Sequence, residues 1–211
     1  MSHRVVAFDL GGVLIRICNR WSDAVELALP EQGLNEGLGL LNESTALVAY
    51  QAGKFDTSEY LVELARFLGC RTADQAKLVH NAILVEPYPG TAELTQDIAS
   101  AGLQTGCLSN TNDLHWQEIF GSGRFPFADL LTVNVASHHV GVNKPDPAMF
   151  EAFERKSGFS GSEIVYFDDT KENVEAARVR GWHAHAVDPS VGTTSQVRRT
   201  LGLAIIPGIE P

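Results

Sequence analysis

Five polar side chains stand directly after apolar runs, or in a turn that follows one, at positions far apart in the sequence. They are Asp9, Ser109, Lys144 and the neighbouring pair Asp168 and Asp169. Paired carboxylates suit a hard cation that takes oxygen ligands, typically Mg²⁺. A lysine and a hydroxyl beside such an ion suit an anion with several charged oxygens, which means a phosphate. If the fold brings these residues together, the pattern predicts phosphate chemistry assisted by a divalent metal.

The same residue types also have purely structural uses. Asp9 can simply start a turn, and Lys144 can be a solvated surface lysine whose turn is explained by the prolines near it. Ser109 and the aspartate pair can cap the N-termini of helices. The informative feature is therefore the ordered set rather than any single residue. Within such a set, a carboxylate fixed at a strand end beside a metal can act as a nucleophile toward phosphorus.

From residue 85 onward the chain alternates between helix-like and strand-like segments. Apolar faces at helical spacing predict helices over residues 91–101, 114–120, 148–156 and 172–180. Short apolar runs predict strands over residues 5–8, 103–108, 131–136, 164–167 and 183–187. Strands that alternate with helices imply right-handed crossovers and a parallel sheet. Ligands bind outside the carboxyl ends of the strands in such sheets, so the polar residues are expected at one edge.

Residues 19–84 carry helical periodicity instead and contain no convincing strand. Asp56 followed by Glu59 is similar to a capping box, and Gly69 is a typical residue to end that helix. A further helix is predicted over residues 73–84. The predicted division is an α/β core domain of residues 1–18 and 85–211 and a helical insertion of residues 19–84.

The composition limits the class of protein and its partners. The chain has 211 residues, and 16 Lys and Arg against 26 Asp and Glu give a net charge of −10. This charge disfavours non-specific binding to nucleic acid and to anionic membranes, and no apolar run approaches the roughly 20 residues of a membrane span. The few apolar residues before Asp9 are too short a run for a signal peptide, and three widely spaced cysteines suit a reducing compartment. A cytoplasmic location is expected.

Four motifs resemble, in the same order, those of the haloacid dehalogenase-like (HAD) hydrolase superfamily. They are residues 8–14 (FDLGGVL), 108–110 (LSN), 144–147 (KPDP) and 167–169 (FDD). The resemblance covers essentially the whole chain and implies a Rossmann-like three-layer α/β core with a small all-helical cap inserted after the first strand. It also implies a Mg²⁺-dependent phosphatase for a small phosphorylated metabolite. The stretch SNTNDLH further resembles a subgroup that acts on hexose phosphates, so a sugar phosphate is one expected substrate.

The resemblance implies a role for each motif residue. Asp9 is the nucleophile that forms an aspartyl-phosphate, and Ser109 holds the phosphoryl oxygens. Lys144 neutralises the nucleophile and the phosphate. Asn110 and Gly12 are expected to contact the substrate.

The resemblance also assigns a metal site. Asp169 binds Mg²⁺ directly together with Asp9, and the carbonyl oxygen of Gly11 is a further ligand. Asp168 lies beside the ion or acts through water. Asn173 stands where many members of the family carry another acidic residue around the metal.

Gly11 departs from the family pattern. Most phosphatases of the family have a second aspartate at this position, two residues after the nucleophile, which protonates the leaving group and later activates water. General acid–base help of this kind is typically worth about 10²–10⁴-fold in rate. His115 is a candidate replacement that would contact the substrate and carry the proton, and its alternative is a plain histidine on a helix surface.

The missing aspartate leaves two other functions open. In a dehalogenase-type hydrolase the same Asp9 attacks carbon, and that chemistry needs neither the second aspartate nor a metal. In a non-catalytic member the pocket binds a ligand or a partner without turnover. The sequence predicts a small-molecule substrate, without nucleic acid or membrane, and leaves the oligomeric state open. The helical insertion is expected to close over the strand ends and exclude water.

Overall fold

A computed structural model of the protein describes residues 3–31 and 38–206. Its strands are β1 (Val5–Phe8), β2 (Ile15–Ile17), β3 (Leu84–Pro87), β4 (Gln104–Ser109), β5 (Val133–Ala136), β6 (Ile164–Asp168) and β7 (His183–Ala186). Five strands form a parallel sheet in the order β5-β4-β1-β6-β7, whereas β2 and β3 form a separate antiparallel pair. The predicted parallel sheet is confirmed.

Helices cover both faces of the sheet. The helices of the described residues are α1 (Trp21–Ala28), α2 (Thr45–Gln51), α3 (Thr57–Leu68), α4 (Ala73–Ala82), α5 (Thr91–Ser100), α6 (Asp113–Gly121), α7 (Ser137–Val140), α8 (Pro147–Ser157), α9 (Lys171–Val179) and α10 (Thr193–Leu201). One face of the sheet packs against α5, α6 and α10, and the other against α8 and α9. These layers confirm the expected three-layer α/β core.

The central strand β1 is buried along its whole length, as expected for a parallel strand covered on both faces. Its neighbours are β4 and β6, and Phe8 lies opposite Cys107 on one side and Phe167 on the other. The next residue, Asp9, donates its backbone N–H to the carbonyl oxygen of Phe167 over 2.8 Å. The register therefore places the ends of these three strands side by side.

Helices α1 to α4 follow β1 and share an apolar core of their own, in which Trp21, Tyr60 and Leu64 are buried. The predicted capping box at the start of α3 is present. The carboxylate of Asp56 accepts the backbone N–H of Glu59 over 2.8 Å, and the Glu59 carboxylate accepts the N–H of Asp56 over 3.1 Å. The all-helical cap after the first strand is thus found, while its exact division at residues 18/19 and 84/85 stays a prediction.

The pairing of β2 with β3 was not predicted from the sequence; these strands flank the helical segment, whose described residues between Cys18 and Ile83 form no strand. The helix predicted over residues 73–84 ends at Ala82, and Leu84 begins β3. Ile15 pairs with Pro87 and Arg16 with Glu86, so this ribbon joins the chain entering the helical block to the chain leaving it. Three or four residues are too few for a recognisable period-two pattern, and the partners lie about 70 residues apart.

Among the described helices, none is long and apolar enough to cross a membrane.

Candidate active site

The predicted polar residues meet at the carboxyl edge of the sheet. Asp9 follows β1, Ser109 ends β4 and Asp168 ends β6, and these three strands are neighbours. Lys144 arrives from the turn before α8, and its ammonium nitrogen lies 3.0 Å from Asp9 Oδ2 and 2.7 Å from Asp168 Oδ2. The structure therefore brings together residues that are up to 160 positions apart.

Lys144 is fully buried, and a third partner completes its surroundings. Its Nζ also donates to the Tyr166 hydroxyl over 3.0 Å, so three acceptors match the three N–H groups of the ammonium. Burial alone would lower the pKa of Lys144, but the carboxylates of Asp168 and Asp9 outweigh burial and raise that pKa above its ordinary value. The lysine is thus held in its charged form against both aspartates.

Asp168 is buried, and both of its carboxylate oxygens are already engaged by the protein. Asn173 Nδ2 donates to both oxygens over 3.1 Å, and the backbone N–H of Thr170 donates to Oδ1 over 2.8 Å. Tyr166 and Lys144 donate to Oδ2. Asp168 therefore holds Lys144 in place, and Asn173, at the position assigned to the surroundings of the metal, fixes Asp168.

Asp9 and Asp169 are the less engaged carboxylates of the cluster. Burial raises the pKa of Asp9 to about 7, with Asp168 and Asp169 adding to the rise and Lys144 opposing it. Burial, followed by the charge of Asp168, also raises the pKa of Asp169. Carboxylate oxygens of Asp9, Asp168 and Asp169 lie within 4.8 Å of one another, with a single ammonium among them. One lysine does not balance three carboxylates, so this donor set fits a divalent cation with oxygen ligands.

Gly12 makes room for Asp169. Its φ of +75° is in the left-handed region, and a Cβ added to it would stand 2.4 Å from Asp169 Oδ2. The backbone N–H of Gly12 donates to the carbonyl oxygen of Ile15 over 2.9 Å. In this structure Gly12 therefore shapes the carboxylate cluster, and its amide is used inside the loop; its predicted contact with substrate stays a prediction.

Asn110 supports the lysine turn. Its Oδ1 accepts the backbone N–H of Lys144 over 2.7 Å, and its Nδ2 donates to the carbonyl oxygen of Lys144 over 3.2 Å. Ser109 is almost completely buried beside it. Both residues line the cavity, and Asn110 fixes the backbone of Lys144; the predicted contacts of both with substrate stay predictions.

A cavity of about 700 Å³ lies over these strand ends. Its core-side lining includes Asp9, Gly11, Ser109, Asn110, Lys144 and Asp169, and its helical-block lining includes Leu41, Leu47, Val48 and Gln51. The helical block thus covers the strand ends, as expected. The hydrogen bonds that hold it there include Asn143 Nδ2 donating to Val48 O over 3.0 Å and Ser137 Oγ donating to Gln51 O over 2.6 Å.

His115 lines the same cavity but is almost completely buried, so it is not the surface histidine of the alternative prediction. Its Nε2 lies 2.9 Å from the carbonyl oxygen of His80, and its Nδ1 lies 3.4 Å from Asn112 Nδ2. These partners define a neutral ring that donates at Nε2 and accepts at Nδ1. Burial lowers the pKa of His115 to about 4. Neither ring nitrogen is left to carry a proton to substrate at neutral pH.

Two residues of this edge were not predicted from the sequence. Tyr166 lies two residues before Asp168 on β6, so the period-two rule for strands places both side chains on one face. His80 shares a buried face of α4 with Ala76 and Val79, and its ring stacks on that of His115 with centroids 4.1 Å apart. In both cases the spacing was a usable signal.

Comparison with known proteins decides the family. Residues 3–181 match the family of haloacid dehalogenase-like hydrolases. The chain belongs to this family. Over their whole lengths, the HAD-like chain is also 30% identical to phosphatase MT3486 of Mycobacterium tuberculosis.

Solved structures agree with this fold. A magnesium complex of the HAD family enzyme BT-2542 from Bacteroides thetaiotaomicron superposes with a TM-score of 0.76 at 21% identity, covering 90% of this chain and 95% of that one. The L-2-haloacid dehalogenase of Xanthobacter autotrophicus with chloropropionic acid covalently bound superposes with a TM-score of 0.63 at 20% identity, covering 98% and 86%. Both likenesses are under 25% identical, so they show the fold and do not choose a reaction. The protein is a HAD-like hydrolase with a phosphatase among its relatives.

Proposed function

We propose that this HAD-like hydrolase is a Mg²⁺-dependent phosphatase that releases phosphate from a small phosphorylated metabolite, such as a sugar phosphate. The observation that carries the proposal is the cluster of Asp9, Asp168 and Asp169 around the buried ammonium of Lys144. A phosphoryl group requires positive charge beside a carboxylate nucleophile; Lys144 supplies one positive charge next to Asp9, and a divalent ion held by the carboxylates would supply the rest. The similarity to a phosphatase along the whole chain supports the same reaction.

The nucleophile in the proposed reaction is Asp9. A carboxylate oxygen of Asp9 bonds to phosphorus while the ester bond from phosphorus to the substrate oxygen breaks, which leaves an aspartyl-phosphate and an alkoxide that takes a proton. Water then attacks the aspartyl-phosphate, releasing inorganic phosphate and restoring the carboxylate. Lys144, at 3.0 Å from Asp9 Oδ2, offsets the negative charge that gathers there, and Ser109 holds a phosphoryl oxygen.

Asp9, Asp169 and the carbonyl oxygen of Gly11 are the groups we propose to hold Mg²⁺. When bound, the ion supplies positive charge to the phosphoryl oxygens and shields them from the surrounding carboxylates. We propose that Asp168 supports the site without binding the ion directly. Its oxygens are already engaged by the side chains of Lys144, Tyr166 and Asn173 and by the backbone of Thr170.

In this proposal, no side chain of the protein donates a proton to the leaving group. Gly11 has no acidic side chain, and the neutral ring of His115 has both nitrogens engaged. The proton comes from water that enters the cavity. Substrates with good leaving groups are therefore expected to react fastest, because they gain least from a general acid.

We further propose that residues 19–84 act as a cap that excludes bulk water from the strand ends while single water molecules still enter the cavity and react. The cavity is enclosed between the strand ends and α2, and contacts such as Asn143 with Val48 hold the two parts together. Hydrogen exchange of residues 19–84, measured with and without Mg²⁺ and a phosphate mimic, tests whether the cap closes further. Unchanged exchange would exclude a moving lid. The cytoplasmic location and the oligomeric state stay open to experiment.

The test of the reaction is release of phosphate from p-nitrophenyl phosphate and a panel of sugar phosphates by the purified protein with Mg²⁺. Asp9→Asn is expected to abolish release, whereas the exposed Asp129→Asn is the matched control and should leave it unchanged. Activity that survives Asp9→Asn would remove the nucleophile from the proposal.

Dehalogenation by Asp9 attack on carbon is the second candidate, favoured by Gly11 and by the similarity of fold to a dehalogenase. The acidic pair speaks against it, since an organic acid gains nothing from extra carboxylates. Release of halide that is insensitive to EDTA would support this candidate. Binding of phosphate without turnover of any substrate would instead indicate a non-catalytic member.

A further inference from the structure

The charged groups that line the cavity leave no cation for a second anionic group. Among the described lining residues, the charged side chains are Asp9, Asp169 and Lys144, and His115 is neutral. The three N–H groups of Lys144 are all engaged by protein oxygens. Even with a divalent ion bound, the phosphoryl dianion uses up the positive charge of the site.

The rest of the lining is uncharged. It consists of apolar side chains such as Ile17, Leu41 and Leu47 and neutral amides such as Asn19, Asn42 and Gln51. The cavity of about 700 Å³ is far larger than a phosphate, so the organic part of a substrate lies against this uncharged wall. Placing a carboxylate there without a partner is unfavourable, because it loses hydration without gaining an ion pair.

Resting on the proposed phosphatase activity, we infer that the substrate carries no negative charge other than its phosphoryl group. The substrate class is thus the monophosphate of an uncharged alcohol, which includes sugar monophosphates and alkyl or aryl phosphates. Phosphorylated carboxylic acids and bisphosphates are rejected. The overall charge of −10 adds to the repulsion of such compounds.

The test compares two substrates that differ by one charge: 4-carbamoylphenyl phosphate and 4-carboxyphenyl phosphate. The two have similar size, but the amide is the somewhat better leaving group, so the variant pair below is needed to assign the difference to the carboxylate in the cavity. We expect kcat/KM to be at least about tenfold higher for the amide, as for like charges within one cavity at reduced dielectric constant.

A variant pair tests whether the lining causes the selectivity. Asn42 is exposed and lines the cavity, so Asn42→Lys adds a cation without disturbing the core, and Asn42→Gln is the neutral control. Asn42→Lys should narrow the preference several-fold, and Asn42→Gln should keep it.

The outcomes separate the inference from the proposed function. Equal kcat/KM for the two substrates, with clear phosphate release, would overturn the inference and leave the phosphatase intact. A preference that is the same in Asn42→Lys and Asn42→Gln would also overturn it, since the lining charge would then not be the cause. Release from neither substrate, nor from p-nitrophenyl phosphate, would overturn the proposed function and the inference together.

Discussion

The stability of the protein should fall in acid because His115 must stay neutral in the folded state. Its pKa is about 4 in the fold, lowered by burial from an ordinary value of 6.5. Above pH 6.5 the ring is neutral in both states, and its contribution is fully present. As the pH falls from 6.5 toward 4, the unfolded chain binds a proton that the folded chain does not, so the free energy of unfolding decreases.

The size of the effect follows from the shift. Lowering the pKa of His115 from 6.5 to about 4 corresponds to about 3 kcal/mol in the free energy of unfolding, because each tenfold change in proton affinity is worth about 1.4 kcal/mol. The perturbation is His115→Gln, because glutamine keeps a donor for the His80 carbonyl and does not titrate. The exposed His139→Gln is the matched control.

Urea unfolding, followed by tryptophan fluorescence at several pH values from 7.5 to 4, measures the free energy of unfolding of all three proteins. The wild type should lose about 3 kcal/mol more than His115→Gln between pH 7 and pH 4, and His139→Gln should follow the wild type. A difference between wild type and His115→Gln that is independent of pH would refute the reasoning. It would show that the ring of His115, which α6 presents to the helical block, is not buried and neutral.

Three further predictions concern the carboxylate cluster. Tyr166→Phe removes a hydroxyl from the buried lysine and is expected to lower the free energy of unfolding by about 1–3 kcal/mol and to reduce kcat; unchanged stability and kcat would contradict it. Gly12→Ala introduces a Cβ only 2.4 Å from a carboxylate of the β6 aspartate pair, so the Mg²⁺ concentration needed for half-maximal activity should rise, whereas Gly123→Ala, at a similar φ with open space around it, should leave it unchanged. Gly11→Asp restores an acid where a Cβ meets only the mobile end of an isoleucine at 3.0 Å, and it should raise kcat more for alkyl phosphates than for p-nitrophenyl phosphate; an equal change for both would argue against general acid action.

The sequence was sufficient where a local rule fixes the structure. The capping box of Asp56 with Glu59 and the glycine stop at Gly69 depend on neighbours three or four residues away, so both were predictable. The buried strand β1 and the residue that follows it, Asp9, were recognisable for the same reason. Once the strands were assigned, the common edge of a parallel sheet placed the site.

The pairing of β2 with β3 could not be predicted from the sequence, because the two strands are very short and lie far apart in the chain. The environment of His115 was unpredictable for a similar reason. Whether this ring lies on a surface or is buried depends on His80, which reaches it from a different part of the chain.

The sequence by itself determined which groups are available for chemistry: a carboxylate after β1, a hydroxyl after β4, a lysine, and an aspartate pair after β6. Only the tertiary structure decided which of these groups are held by hydrogen bonds within the protein and which face the cavity. It turned Asp168 inward to fix Lys144, left Asp9 and Asp169 facing the cavity, and engaged both nitrogens of His115. The physical reason is that the charge and reactivity of a side chain depend on its burial and its hydrogen-bond partners, and those partners come from distant parts of the chain.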